Sequence, residues 1–358
     1  MRIGVLGAGV ISKQYLENLT RFPDVEVALV ADLDPARARE RAEAFGVPAW
    51  GTPEELLTSD VELVVNLTTP AAHHPTAVAA LRAGKHVWLE KPLATNVADA
   101  RDIVATAEVC GREVGCAPDT VLGAPAQAAL RLLRDGAAGS PSWGYAQFAT
   151  EGPQGWHPDP EFLFSPGGGP LLDVGPYYLT MLAHAFGPVA RVYAAAATAQ
   201  PTRTIGAGPR AGTVFPVTAA TTLFTTLHFE SGAKAQATFS FDSGSPHIVL
   251  EFTGSEGTIV CADPNRFVGD VVVRSAHGAE PAVASFPQAP ATRGIGVVEM
   301  VRAIEAGRRP RANADVAAHL VEVMAAALAS VERGRPEEVD STFEPVEPLP
   351  VGWDPFTR

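Results

Sequence analysis

Three stretches of the chain carry side chains whose types and spacing suit nucleotide binding and proton movement. Gly7-Ala8-Gly9 follows an apolar run, Ile3 to Leu6, and opens a stretch of helical period. The first glycine permits a tight turn, and the second lets a pyrophosphate approach the helix N-terminus, whose unpaired N–H groups point at it. Ser12 stands at the third glycine position of the dinucleotide fingerprint; it is small enough for close helix packing, so the match is degenerate. Val10 and Ile11, next in the chain, are grouped with Gly7 and Gly9 as cofactor contacts. Asp32 ends the second apolar run, where a carboxylate can accept both ribose hydroxyls of an adenosine. Asp34, before Pro35, suits a helix cap better. A 2′-phosphate would meet like charge at Asp32, and Leu33 offers nothing to offset it, so NAD is expected over NADP. Arg37 and Arg39 are the cations within two turns.

Lys91 follows the short apolar run Val87 to Leu89, with Pro92 directing the chain after it. Open α/β sheets bind ligands at the carboxyl ends of their strands, and an ammonium there can touch a nicotinamide ribose and a substrate hydroxyl. Pro166 to Tyr178 is a glycine loop running into a helix, which places Asp173 and Tyr177, four apart, on one side. Tyr178 is the better core aromatic. A phenol, with a reference pKa of about 10, is a poor base near neutrality without a nearby cation, and Lys91 is the obvious one. Two stretches are expected to line the substrate: Ala117 to Gly123, with Asp119, and Gly155 to Phe162, with Trp156 to stack on sugar CH faces. His157 is a reserve acid/base.

These residues need elements to hold them. Apolar runs at Ile3 to Leu6, Val25 to Ala31, Val61 to Leu67 and Val87 to Leu89 alternate with helical stretches, which predicts a doubly wound parallel sheet covered on both faces. After about Cys116 long strands predominate, at Trp143 to Thr150, Arg191 to Ala197, Thr221 to Glu230, Lys234 to Phe241, Ile248 to Thr253 and Thr258 to Cys261. The expected architecture is an α/β Rossmann domain, 1–118, and an α+β domain, 119–358, with a large, mostly antiparallel open sheet. The strands are read as one meander, with hairpin turns at Glu230-Ser231-Gly232-Ala233 and Gly254-Ser255-Glu256-Gly257 whose glycines supply positive φ. The strand face bearing Phe239, Phe241 and Phe252 is expected to be free for a partner. A helix from Ala312 to Val331, capped by Asn313 and followed by Gly334, precedes a Pro-rich irregular tail; helix and tail are expected to pack back on the first domain.

Composition excludes some functions. With 27 Lys+Arg against 40 Asp+Glu the formal net charge is −13, and without a basic stripe nucleic acid is excluded as a partner. Cys110, Cys116 and Cys261 lack metal-ligand spacing, so no metal site is expected. No apolar run reaches the roughly 18 residues that a membrane span needs, which points to a cytoplasmic protein.

Thr69-Pro70 followed by His74, then Ala83-Gly84-Lys85-His86-Val87 and Glu90-Lys91-Pro92, resemble the glucose-fructose oxidoreductase/inositol dehydrogenase/MocA family over nearly the whole chain. Glu-Lys-Pro after an AGKHV strand is highly specific. The resemblance implies that Lys91 hydrogen-bonds the reacting oxygen and that Glu90 supports the nucleotide or the turn, with Thr69, Pro70 and His74 on the cofactor side. Ala71 stands where the family often has Asn. Its inositol dehydrogenase branch reads Asp-x-Gly-x-His, with the His as proton acceptor oriented by the Asp. Tyr177 takes the His position here, as in the glucose-fructose oxidoreductase and dihydrodiol dehydrogenase-like members. The implied function is hydride transfer between nicotinamide and a carbinol carbon of a sugar, polyol or related cyclic alcohol, in sheet-to-sheet dimers or tetramers. The rivals are NAD-dependent glycoside cleavage by transient oxidation and a silent nucleotide-binding regulator.

Overall fold

The computed structural model describes residues 1–284 and 292–358. The chain groups into two compact units: one holds Met1–Gln127, residues 292–321 and Val346–Arg358, the other residues 128–284 and Glu322–Pro345.

The first unit alternates β1 (Arg2–Leu6), α1 (Val10–Leu19), β2 (Glu26–Ala31), α2 (Pro35–Phe45), β3 (Ala49–Gly51), α3 (Pro53–Thr58), β4 (Leu63–Asn66), α4 (Pro70–Arg82), β5 (His86–Leu89), α5 (Val97–Cys110) and β6 (Val114–Cys116). The strands are parallel in the order β3-β2-β1-β4-β5-β6. The order reverses between β1 and β4, so a crevice opens at their carboxyl ends. Leu63, Val64 and Val65 are all fully buried, because helices cover both faces and no residue of the run can turn to water. Residues 119–127 stay with this unit rather than crossing at 118. Gln127 donates to the Val121 carbonyl and accepts from the Leu349 amide, which ties the segment inward.

The second unit begins within α6 (Ala124–Arg134) and continues through β7 (Pro141–Ala149), α7 (Pro170–Asp173), α8 (Gly175–Phe186), β8 (Val189–Ala197), β9 (Thr202–Thr204), β10 (Val214–Pro216), β11 (Thr222–Phe229), β12 (Lys234–Ser240), β13 (His247–Gly254), β14 (Gly257–Val260), β15 (Val272–Ser275) and β16 (Ala282–Val283). The large sheet is not one meander. β7 sits between β13 and β12 and runs parallel to β12, with Trp143 opposite Lys234. The other pairs in the sheet are antiparallel.

Phe239, Phe241 and Phe252 do not lie on a free face. All three are buried: Phe186 of α8 meets Phe252, Tyr178 meets Phe239, and Phe164 meets Phe241. The period of two puts Trp143, Tyr193 and Phe224 on the opposite face, where each remains more than two-fifths exposed. Only the first hairpin turn uses positive φ, at Gly232. Gly254 and Gly257 are absent from the positive-φ positions and serve close approach instead: a Cβ on either would lie 2.4 Å from a backbone oxygen, of Ala138 or Arg274.

After residue 291 the chain adds α9 (Ile295–Glu305), α10 (Ala314–Arg333) and β17 (Glu337–Glu338). α9 lies so close to β5 that a Cβ on Gly296 would fall 2.0 Å from the Trp88 ring. Asn313 accepts from the Val316 amide as the cap of α10, and Gly334, at φ 64°, follows its end. By length and composition α10 could cross a bilayer, contrary to expectation, yet 61% of its apolar window is buried, as in a core helix. The irregular tail docks on the first unit, where Phe356 meets Phe22 and Arg302 donates to the carbonyls of Asp354 and Thr357.

Candidate active site

The loop after β1 is shaped by two glycines used differently. Gly7 has φ 100°, and a Cβ there would sit 2.8 Å from the Leu67 carbonyl, so no other residue fits. Around Gly9 nothing lies within 4 Å of an added Cβ, which leaves bare backbone at the start of α1. No side chain caps that helix. Val10 is 90% exposed and Ile11 partly exposed beside the loop. Buried Ser12 donates to the Gly9 carbonyl.

Asp32 is fixed by accepting from the amides of Ala8 at 2.7 Å and Asp34 at 3.0 Å. A carboxylate has about four lone-pair sites, so acceptor capacity remains for ribose hydroxyls. Asp34 caps α2 as expected, accepting from Ala36 and Arg37. Arg39 pairs with Glu43 one turn on. Arg41, which sequence reasoning passed over, reaches the carbonyls of Gly9 and Ala8 at 3.4 and 3.5 Å. A turn at Gly7 that only glycine can form, the bare backbone at Gly9 and an oriented carboxylate at the end of β2 fit a dinucleotide.

Lys91 leaves the carboxyl end of β5 through a cis bond to Pro92. Glu90 is committed to the turn: one carboxylate oxygen accepts from the Lys91 amide at 3.1 Å and the other from the Tyr15 hydroxyl at 2.7 Å. His74, expected on the cofactor side, points instead at α5, bonding Asp102 at 2.7 Å with Asp99 at 3.6 Å. Its neighbour His73 is fully buried, with Nδ1 2.7 Å from the Pro92 carbonyl and Nε2 3.1 Å from that of Thr68. His73 is buried along with Ala77, Val78, Ala80 and Leu81 of α4, whereas His74 beside it is only partly buried. Burial holds the His73 pKa below its usual value, partly offset by the two carbonyls. A neutral ring donates to only one of them. Thr69 and Pro70 are exposed at the start of α4, and Thr69 makes no side-chain cap.

Asp119, expected to line the substrate, does not reach the surface. It is fully buried, accepting from Arg293 at 3.2 Å and the Gly294 amide at 2.7 Å. Burial raises its pKa, against the pull of Arg293.

In the second unit Asp173 and Tyr177 do not share one continuous helix. α7 ends at Asp173, and α8 starts at Gly175 after Val174 at φ −106°, ψ −27°. Asp173 is partly exposed and Tyr177 buried at 7%. Tyr178 is the core aromatic, with its hydroxyl donating to Asp263 and burial pushing its pKa up.

Trp156 is 69% exposed, with its ring edge-on to His157, which in turn meets Phe162. His157 Nδ1 accepts from the Asp159 amide at 3.0 Å, which places the proton of the neutral ring on Nε2. The β9–β10 hairpin braces this loop: Gly206 donates to the Gln154 carbonyl, and Arg210 pairs with Asp159 and Glu161. Arg203 anchors the hairpin through Asp242, the Phe241 carbonyl and the Phe164 ring.

The family described as the Gfo/Idh/MocA oxidoreductases, NAD-binding Rossmann fold, matches residues 1–117, and the Gfo/Idh/MocA C-terminal domain matches residues 126–260. The chain belongs to the Gfo/Idh/MocA family. Among curated relatives, the dTDP-3,4-didehydro-2,6-dideoxy-alpha-D-glucose 3-reductase of Streptomyces antibioticus is 35% identical over 52% of this chain and 57% of its own. The D-apiose dehydrogenase of Paraburkholderia graminis is 29% identical over 71% of this chain and 66% of its own. The chain thus spans less than two thirds of the length of these two relatives. An NAD binding oxidoreductase from Klebsiella pneumoniae superposes with a TM-score of 0.82 at 23% identity, covering 95% of this chain and 99% of its own, a likeness of fold.

Proposed function

We propose that this Gfo/Idh/MocA protein is an NAD(H)-dependent oxidoreductase that moves a hydride between nicotinamide and a carbinol carbon of a sugar, polyol or related cyclic alcohol. The observation that carries the reading is Lys91 at the carboxyl end of β5, in the same unit as the glycine cradle of β1 and the oriented Asp32. Gly7, Gly9, Val10 and Ile11 would hold the pyrophosphate side, Asp32 the adenosine ribose, and Thr69 and Pro70 the far side. When bound, NAD supplies the hydride acceptor. Lys91 donates to the reacting oxygen, and Tyr177 carries the proton with Asp173 orienting it. Trp156 offers an exposed aromatic face for a sugar.

The same reading places the enzyme in the cytoplasm and makes its partners a small carbohydrate-like molecule and a second copy of the chain. It assigns no role to nucleic acid or a membrane. A panel of sugars and polyols with NAD should give steady NADH formation. Glycoside cleavage without net NADH would replace this reading with transient oxidation, and nucleotide binding without turnover on any member would overturn it.

A further inference from the structure

Tyr15 is six positions beyond the glycine cradle on α1 and fully buried. Its hydroxyl accepts from Trp88 Nε1 at 3.2 Å and donates to Glu90 Oε1 at 2.7 Å, while Glu90 Oε2 accepts from the Lys91 amide at 3.1 Å. The Glu90 amide is itself held by the Asn66 carbonyl at the end of β4. A purely apolar residue would fill this space without the desolvation that a buried phenol suffers beside a carboxylate. Burial and Glu90 both keep the phenol in its neutral, donating form.

We propose that Tyr15 is a positioning residue for Lys91: through Glu90 it locks the backbone of the lysine turn to the helix that starts at the nucleotide cradle. The inference rests on the catalytic role given to Lys91. Holding a reacting group in place contributes to rate because a misplacement of about 1 Å can cost 10²-fold. The chain's own geometry supplies the link, since α1 joins the cradle and the turn as one rigid rod.

Tyr15→Phe keeps the ring and removes the donor. Expected results are a kcat lower by about 10- to 100-fold, NADH affinity by fluorescence within about threefold, and amide exchange at Lys91 faster by about tenfold, with the amides of β5 unchanged. In a double-mutant cycle, Tyr15→Phe should add less than about twofold once Glu90→Ala is present. Unchanged exchange at Lys91, or faster exchange spread over the whole unit with a matching fall in Tm, would show an ordinary core residue and overturn the proposal. The exchange measurement needs no substrate. If the wild type turns over no sugar, the enzymatic reading fails while the link from Tyr15 to Lys91 is still judged.

Discussion

Lys91 and Asp32 stand at the ends of different strands, and the proposed division of labour between them can be separated by substitution. Lys91→Ala should lower kcat by roughly 10² to 10⁴ while leaving NAD affinity within a few-fold, because the ammonium acts on charge that develops only during reaction. Asp32→Ala should do the reverse, narrowing the gap between NAD and NADP binding with little effect on kcat; titration of both nucleotides decides it. The acid/base assignment is equally testable. The lone pair of His157 Nδ1 is already taken by the Asp159 amide. Tyr177→Phe is therefore expected to be severe and His157→Ala mild, and the opposite order in kcat would move the proton path to His157. At this scale the sequence was most readable where backbone conformation dictates residue type. Gly7 is the clear case, since its φ and the Leu67 carbonyl exclude a Cβ. It was least readable where adjacent residues of one type compete. His73 and His74 are adjacent on α4, one buried and the other bonded to Asp102 of α5, and the spacing of Ala77, Val78, Ala80 and Leu81 does not tell the two apart.

The helix α8 carries the covered face of the large sheet and ends in a titratable weak point. Burial draws the His184 imidazole from 6.5 down to about 4. Between those values the unfolded chain binds a proton that the folded chain refuses. Its contribution to stability is therefore full above about pH 6.5 and is lost as pH falls toward 4. His73 and His86 are shifted in the same direction by burial. Denaturant midpoints between pH 7 and 4.5 should fall, and His184→Phe should flatten that slope; an unchanged slope would remove His184 from the account. Among elements, long periodic ones were legible. β3 was not, because three residues give no period, although the Thr52–Glu55 capping box that starts α3 stood in the sequence. The place of β7 was hidden for another reason: alternation reports which residues face inward, not which strand lies alongside. The same limit put Phe239 and Phe252 on the wrong face, since α8 had first to be laid across them.

For the whole molecule, the face of the large sheet opposite α8 is where a second copy is proposed to dock, with Trp143, Tyr193 and Phe224 as its apolar anchors. Light scattering at micromolar concentration should give a dimer or tetramer, and Phe224→Asp should shift it toward monomer; a wild-type monomer would end the idea. The two-part organisation was legible from the change in strand and helix rhythm near Cys116. The return of the chain was only partly so, because contacts such as Gly296 on Trp88 join residues more than 200 positions apart and leave no local trace. That return has a consequence for biosynthesis. Most of the first unit leaves the ribosome before the large-sheet unit, yet Trp88 lacks its cover until α9 arrives, and Phe22 lacks its partner until Phe356 does. The chain of the large-sheet unit is therefore made while the first unit is still incomplete, and of the two it is the first unit that closes last. A fragment of residues 1–127 should show weak thermal cooperativity and an exposed indole by fluorescence, whereas adding residues 292–358 in trans should restore a buried one.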